Sequence, residues 1–197
     1  MVCLDQMGPI HALAYSGKRL VSRTRSLGTG QPKGRATFQA THAGKGHGHV
    51  FGAFCPHTGK AFTACHARRT KANYLGFLER VDAWLDPAAT QVICVLDNLN
   101  IHHSAEVLLF MAAHPRWEFG FIPKGCAYLN LIEPWWKTLR SIALKGTSFN
   151  TWDEVVAAIT AATTYWNAHA HPYLWGHRRR HRTPRKPGIA VVHKLAG

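Results

Sequence analysis

Short runs of apolar residues alternate along the chain with stretches that repeat apolar residues at helical intervals, and this alternation predicts an α/β fold. The unbroken run at 91–96, rich in valine and isoleucine, is typical of a strand buried on both faces of a sheet. The runs at 50–55 and 60–65 flank a Pro-His-Thr-Gly turn and predict a hairpin. Two further strands are expected, one ending at Asp5 and one over 117–122.

Four segments carry apolar residues three and four positions apart, which predicts four amphipathic helices. The first ends before Pro87, and the second begins at Ser104, which is expected to cap it. The third is expected to begin at Pro134, directly after Glu133, because proline suits a first helical position. The fourth is expected over 153–168. This order of elements predicts a mixed sheet with helices on its faces.

The composition of the chain indicates one domain and a polyanionic partner. The chain has 197 residues, 46% of them apolar, which is enough for one core, and we expect a domain over 1–168 with a basic extension over 169–197. The chain carries 24 lysines and arginines and 10 acidic residues, a formal charge of +14. Such an excess favours a polyanion, most often nucleic acid, because each phosphate contact releases counterions.

Other features of the sequence argue against a membrane and against disulfides. No apolar run approaches the roughly eighteen residues of a membrane span, and the start lacks the pattern of a signal peptide. The basic residues cluster in loop-like stretches instead of on one helix face, which argues against a membrane surface. Five cysteines without framework spacing predict reduced thiols. We therefore expect a cytoplasmic protein with no membrane partner.

Three of the ten acidic residues stand where an apolar element meets a turn: Asp5, Asp97 and Glu133. The other acids fall on exposed helix faces, in first helical turns or alone on a strand. Carboxylates without matched thiols are ligands for a hard divalent cation, Mg²⁺ or Mn²⁺. For Asp97 alone, the sequence supports two interpretations about equally: a residue of a functional site, or a residue that only opens a turn before the next helix.

The sequence from Leu96 onward resembles insertion-sequence and mariner-like DDE transposases. The matching stretches are Leu96-Asp-Asn with His102 five positions after Asp97, Phe121-Ile-Pro, and Tyr128-Leu-Asn-Leu-Ile-Glu-Pro-Trp-Trp-Lys137. Glu133 follows Asp97 by 36 positions, close to the usual spacing in the family. The resemblance covers most of 1–165 and implies a ribonuclease H-like mixed sheet flanked by helices.

The resemblance also implies a reaction and its residues. Asp5, Asp97 and Glu133 would be both the catalytic triad and the metal ligands of a two-metal endonuclease and strand transferase acting on transposon ends. Its partners would be double-stranded DNA, a second copy of the chain on that DNA, and an upstream helix-turn-helix protein. Basic residues would hold phosphates without reading sequence. These are Lys18, Arg19, Arg35, Lys124, Lys137, Arg140, Arg178, Arg179 and Arg180.

The chain also departs from the family. Gln6 stands where the family often has Glu, and Leu131 replaces a frequent Pro, although neither change removes a metal ligand. Only four residues precede Asp5, where the family carries helix-turn-helix domains. We therefore expect a catalytic half, either one product of a split reading frame or a decayed copy.

Two rival functions remain open. A truncated, non-catalytic DNA-binding remnant is the stronger alternative, because a short basic chain can bind DNA without cutting it. A zinc module could be drawn from Cys55, His57, Cys65 and His66, but their spacing matches no common zinc pattern and they fit a hairpin well.

Overall fold

Five strands form one mixed sheet, in a computed structural model that describes residues 1–16 and 45–173. The strands are β1 (Val2–His11), β2 (His47–Cys55), β3 (Lys60–His66), β4 (Val92–Leu96) and β5 (Trp117–Phe121). The sheet order is β3-β2-β1-β4-β5, so β1 is central, with β2 and β3 antiparallel to their neighbours and β4 and β5 parallel to β1. The predicted hairpin is confirmed. The run at 91–96 does form a strand, β4, but it is not buried on both faces, because Ile93 is 42% exposed.

Helices cover both faces of the sheet, as the sequence predicts. They are α1 (Lys71–Trp84), α2 (Ala105–Ala113), α3 (Ile132–Ala143) and α4 (Trp152–Ala168). Side chains of a strand alternate between faces, so Leu4 packs in the core beneath α1 and α2 while Cys3 packs in the core beneath α3 and α4. Among the described residues, no helix is long and apolar enough to cross a membrane.

Two expectations about element ends are wrong, and a third is confirmed in position only. Asp5 does not end a strand, because antiparallel pairing with β2 carries β1 on to His11, with an irregular register between Met7 and Ile10. The helix α3 begins at Ile132, so Pro134 is its third residue; its missing N–H still falls among the first four, which have no helical partner. Ser104 occupies the N-cap position of α2 without making a side-chain capping bond.

Part of the sequence interpretation falls outside the described residues. The basic stretch from 17 to 44 and the tail from 174 onward carry several of the predicted DNA contacts. These are Lys18, Arg19, Arg35, Arg178, Arg179 and Arg180. The boundary at 168 coincides with the end of α4, but Tyr173 still packs on Phe54 and donates its backbone N–H to the carbonyl of Pro56 at 2.7 Å. The division into a domain and an extension stays a prediction.

A close contact joins the middle of the sheet to α3. Gly52 of β2 is paired with Asp5 of β1, and the indole of Trp136 lies over it. A Cβ at position 52 would stand 2.3 Å from Cη2 of Trp136 and 3.1 Å from Cδ1 of Ile132. Glycine is therefore required here by the close approach of α3 to the sheet.

Gly52→Ala is expected to lower the free energy of unfolding by about 1–3 kcal/mol, because the new methyl group forces Trp136 out of a filled core. Urea denaturation of both proteins would measure the change. Gly76→Ala is the matched control: position 76 is exposed on α1 with nothing within 4 Å of an added Cβ, so this variant should gain up to about 1 kcal/mol. A Gly52→Ala protein as stable as wild type would contradict the packing of Trp136 on Gly52.

Candidate active site

The register between two parallel strands brings Asp5 and Asp97 to the same level. Val2 pairs with Cys94 and Cys3 with Val95, and the same offset continued places Asp97 beside Asp5. Asp5 alternates in phase with Cys3, so it lies on the face of the sheet covered by α3. Asp97 follows directly after the last residue of β4, and its carboxylate is near enough to Asp5 to raise the pKa of that residue.

Glu133 reaches this region because the start of α3 is anchored to β1. The buried side chain of Asn130 donates from Nδ2 to the carbonyl of Leu4 at 2.8 Å, and its Oδ1 accepts from the backbone N–H of Ile132 at 3.4 Å. The first turn of α3 is thereby tied to the residue before Asp5. Asp5 and Glu133 line one pocket of about 300 Å³.

The carboxylate of Asp5 is held by the same helix. Trp136 donates from Nε1 to Oδ2 of Asp5 at 2.7 Å. Glu133 and Trp136 are three positions apart, so they project from the same side of α3 toward β1. One helical turn thus supplies a carboxylate and the donor that orients a second carboxylate.

Asp97 lines a neighbouring pocket of about 270 Å³, together with Lys124. Its Oδ1 accepts from the backbone N–H of Leu99 at 3.2 Å and lies 2.9 Å from Nδ1 of His102. Oδ2 of Asp97 accepts no hydrogen bond from the residues that the structure describes. One oxygen is therefore fixed by the protein and the other is free to bind.

Burial and like charge act together on Asp5. The pKa of Asp5 is raised to about 6, mainly by burial and also by the nearby carboxylates of Glu133 and Asp97, while hydrogen bonds from the Gln6 backbone and Trp136 act in the opposite direction. Facing carboxylates with only oxygen donors match the preference of hard divalent cations. Residues 1–16 and 45–173 nevertheless contain no group of three His, Cys, Asp or Glu already placed to hold an ion.

The zinc alternative gains no support from the described residues, which also bring no cysteine–histidine cluster together. Cys55 pairs with Lys60 at the turn of the hairpin, whereas Cys65 pairs with Val50 farther along it. Burial raises the pKa of the Cys55 and Cys65 thiols to about 11, which disfavours the thiolate form that binds zinc.

Cationic side chains surround the acids. Lys137 and Arg140, both predicted DNA contacts, line the pocket of Asp5 and Glu133 and a larger adjoining groove of about 700 Å³. Lys124, a third predicted contact, stands beside Asp97. Sequence reasoning missed four residues here. These are Asn130, Lys145 in the groove, and Arg69 and Lys71 in a pocket with Asn98.

The chain is similar in sequence to one protein family and in fold to several solved structures. The model of the family described as DDE superfamily endonuclease matches residues 17–156. A Mos1 transposase paired-end complex with the left transposon end has a TM-score of 0.61 at 15% identity, covering 87% of this chain and 48% of that chain. A Mos1 mariner paired-end complex with Mn has a TM-score of 0.61 at 15% identity, covering 87% of this chain and 49% of that chain. A Mos1 strand transfer complex has a TM-score of 0.56 at 15% identity, covering 84% of this chain and 52% of that chain.

At this level of identity the likeness to Mos1 shows a common fold, and the predicted ribonuclease H-like architecture is confirmed. The chain spans about half the length of the Mos1 chains that it matches. No curated protein matched the sequence.

Asp5→Asn is expected to stabilise the metal-free protein at neutral pH. A carboxyl whose folded pKa is raised from 3.8 to about 6 loses folding free energy as the pH rises through that window, at most about 3 kcal/mol at pH 7. The Asn variant escapes this loss and can still accept from Trp136. Urea unfolding in EDTA should show its advantage growing between pH 4 and pH 7.

The exposed carboxylate Glu118 of β5 supplies the control, and Glu118→Gln should show no comparable advantage. An Asp5→Asn advantage that stays constant across this pH range would contradict the electrostatic account.

Proposed function

Since the chain belongs to the DDE superfamily endonucleases, we propose that it is a transposase-type catalytic domain that cleaves and joins DNA at transposon ends with Asp5, Asp97 and Glu133. One observation carries the proposal. The β1–β4 register sets Asp97 level with Asp5, and α3 brings Glu133 into the pocket of Asp5. The proximity of these three carboxylates supports the proposal, since the carboxylates of Asp97 and Glu133 both raise the pKa of Asp5.

The donor set fits Mg²⁺ or Mn²⁺, and Asp5, Asp97 and Glu133 are the residues that would hold such ions. Bound as a pair, the ions would supply activation of the attacking hydroxyl group and stabilisation of the leaving oxygen. Asp97 stands at the end of the interior strand β4 and would contribute the carboxylate oxygen that accepts no hydrogen bond from the described residues. Asp5 and Glu133 would contribute the other carboxylates.

The basic residues would place the DNA strand. Lys137 and Arg140 follow Glu133 by four and seven residues, so they share its side of α3, and seven residues span about 10 Å of helix. A row of two cations leading away from the acids suits successive phosphates of one strand, and Lys124 would hold the strand beside Asp97. These contacts orient the backbone and read no sequence.

Recognition of the transposon ends is assigned to a separate helix-turn-helix segment, and the pairing of two ends to a second copy of the chain. The Mos1 structures named above are paired-end and strand transfer complexes of chains about twice as long. Their length is consistent with additional DNA-reading segments in a complete transposase.

A second candidate function is DNA binding without cleavage. It is favoured by the lack, among the described residues, of three donors already placed around one ion. In this case Asp5, Asp97 and Glu133 would be remnants of the site, while Lys124, Lys137 and Arg140 would still bind phosphates.

Asp97→Asn is expected to abolish Mg²⁺- or Mn²⁺-dependent nicking, because it keeps the side-chain shape and removes the charge that two cations require. Binding of DNA should stay level or rise slightly as repulsion of the phosphates falls. Nicking of supercoiled plasmid and a fluorescence binding titration would measure the two effects separately.

The control for this experiment is Glu79→Gln, a carboxylate on the exposed side of α1 that should affect neither measurement. Undiminished metal-dependent nicking by Asp97→Asn would refute the triad. Intact DNA binding with no nicking by wild type, even with a helix-turn-helix partner supplied, would favour the non-catalytic candidate.

Replacement of both Lys137 and Arg140 by Gln should weaken binding to all duplexes alike and reduce the slope of log affinity against log salt by about 2. The reason is that each lost phosphate contact releases about one counterion fewer. Lys60→Gln is the control, an exposed lysine at the turn between β2 and β3. An unchanged salt slope in the double variant would mean that the DNA does not run along α3.

A further inference from the structure

A buried histidine joins the two strands that carry Asp5 and Asp97. His102 lies in the short 3-10 helix Asn100–His103 after β4, and only 2% of it is exposed. Its Nδ1 lies 2.9 Å from Oδ1 and 3.0 Å from the backbone carbonyl oxygen of Asp97. On the opposite side of the ring, the side-chain amide nitrogen of Gln6 lies 3.2 Å from Nε2.

The hydrogen bonds of His102 form a consistent directional chain. The amide of Gln6 donates to Nε2, so the ring proton resides on Nδ1 and is donated to Asp97. The ring is neutral in this arrangement, in agreement with burial, which lowers the pKa of His102. The Gln6 that departs from the usual Glu of the family is thus a donor matched to this ring.

The position of this chain of bonds matters because β1 and β4 stop pairing just before the acids. Their ladder comprises Val2 with Cys94 and Cys3 with Val95. Beyond it no strand hydrogen bond sets the separation of Asp5 and Asp97. There the imidazole of His102 links the two segments through Gln6 and Asp97, packed on the ring of Tyr74 at a centroid distance of 4.9 Å.

We propose that His102 and Gln6 form a clamp that positions Asp97 for catalysis, with Nδ1–H fixing Oδ1 so that Oδ2 stays available to a divalent cation. The clamp, comprising Gln6, His102 and Asp97, rests on the proposed function. His102 is a positioning residue: it acts through Asp97 and touches neither ion nor DNA. Outer hydrogen-bond partners of this kind typically change metal affinity or activity by about 10- to 100-fold when they are removed.

The test compares two substitutions in the full chain, with Mn²⁺ as the ion. His102→Phe keeps a ring against Tyr74 and removes the hydrogen bonds of both ring nitrogens, those to Gln6 and to Asp97. His102→Asn retains an N–H close to the position of Nδ1. His102→Phe should weaken Mn²⁺ binding, measured from free Mn²⁺ by electron paramagnetic resonance, by about 10- to 100-fold. It should lower kcat for nicking without raising KM for DNA, and His102→Asn should restore part of both losses.

His114→Phe is the matched control. Nδ1 of His114 also lies 2.9 Å from a backbone carbonyl, that of Phe110, and its Nε2 also faces carboxylates, Glu79 and Asp82, but at the far end of α2. It should change neither Mn²⁺ affinity nor nicking. Wild-type Mn²⁺ affinity and nicking in His102→Phe, or equal losses in the Phe and Asn variants, would overturn the clamp.

A measurement on the wild-type protein keeps the test independent of both folding of the variants and activity. Nitrogen-15 NMR of labelled histidine should show His102 protonated on Nδ1 and unprotonated on Nε2, and Gln6→Met and Asp97→Asn should each shift these signals. A ring protonated on Nε2 alone would overturn the clamp. If wild type neither binds Mn²⁺ nor nicks DNA, the proposed function fails, and the NMR signals decide separately whether the clamp exists.

Discussion

The parallel pairing of β1 with β4 is the constraint on which the candidate site depends. Two residue pairs set the offset, after which β4 ends and β1 continues along β2. The strands part at the level of Asp5 and Asp97, and the opening between them is the kind of crevice where open α/β sheets bind ligands. The rest of the site is arranged around this point: α3 packs over Asp5 on one face of the sheet, and His102 links Gln6 to Asp97 beside Tyr74 of α1.

Holding a carboxylate in this crevice is unfavourable for the fold alone. Asp5 is largely buried and lies near two other acids, and the bond from Trp136 offsets only part of that cost. The surrounding structure tolerates it because the strand beneath is packed on both faces by apolar residues. Strain of this sort is typical of sites whose arrangement is set by a reaction instead of by stability.

The sequence predicts much of this arrangement, and its failures have physical causes. The hairpin and the four helices follow from the pattern of apolar residues, and a strand forms at the apolar run before Asp97. The length of β1 was missed because the residues after Asp5 include Gly8 and Pro9, and antiparallel pairing with β2 overrides their turn preference. On α3, helical intervals of three and four from Leu139 allow either Ile142 or Ala143 to face the core. In the structure Ala143 is buried and Ile142 is 41% exposed. Asn130 was missed because its partner, the Leu4 carbonyl, is remote in sequence.

The anchor at Asn130 has a consequence for how this segment can vary. Because the side-chain amide of Asn130 donates to the carbonyl of Leu4, the position of Glu133 is fixed relative to β1 and not relative to the end of β5. The path between Ile122 and Asn130 can then lengthen or shorten without moving the third acid, as surface connections commonly do. The number of residues between Asp97 and Glu133 can therefore vary without disturbing the site, whereas the spacing of three residues from Asn130 to Glu133 has to be kept.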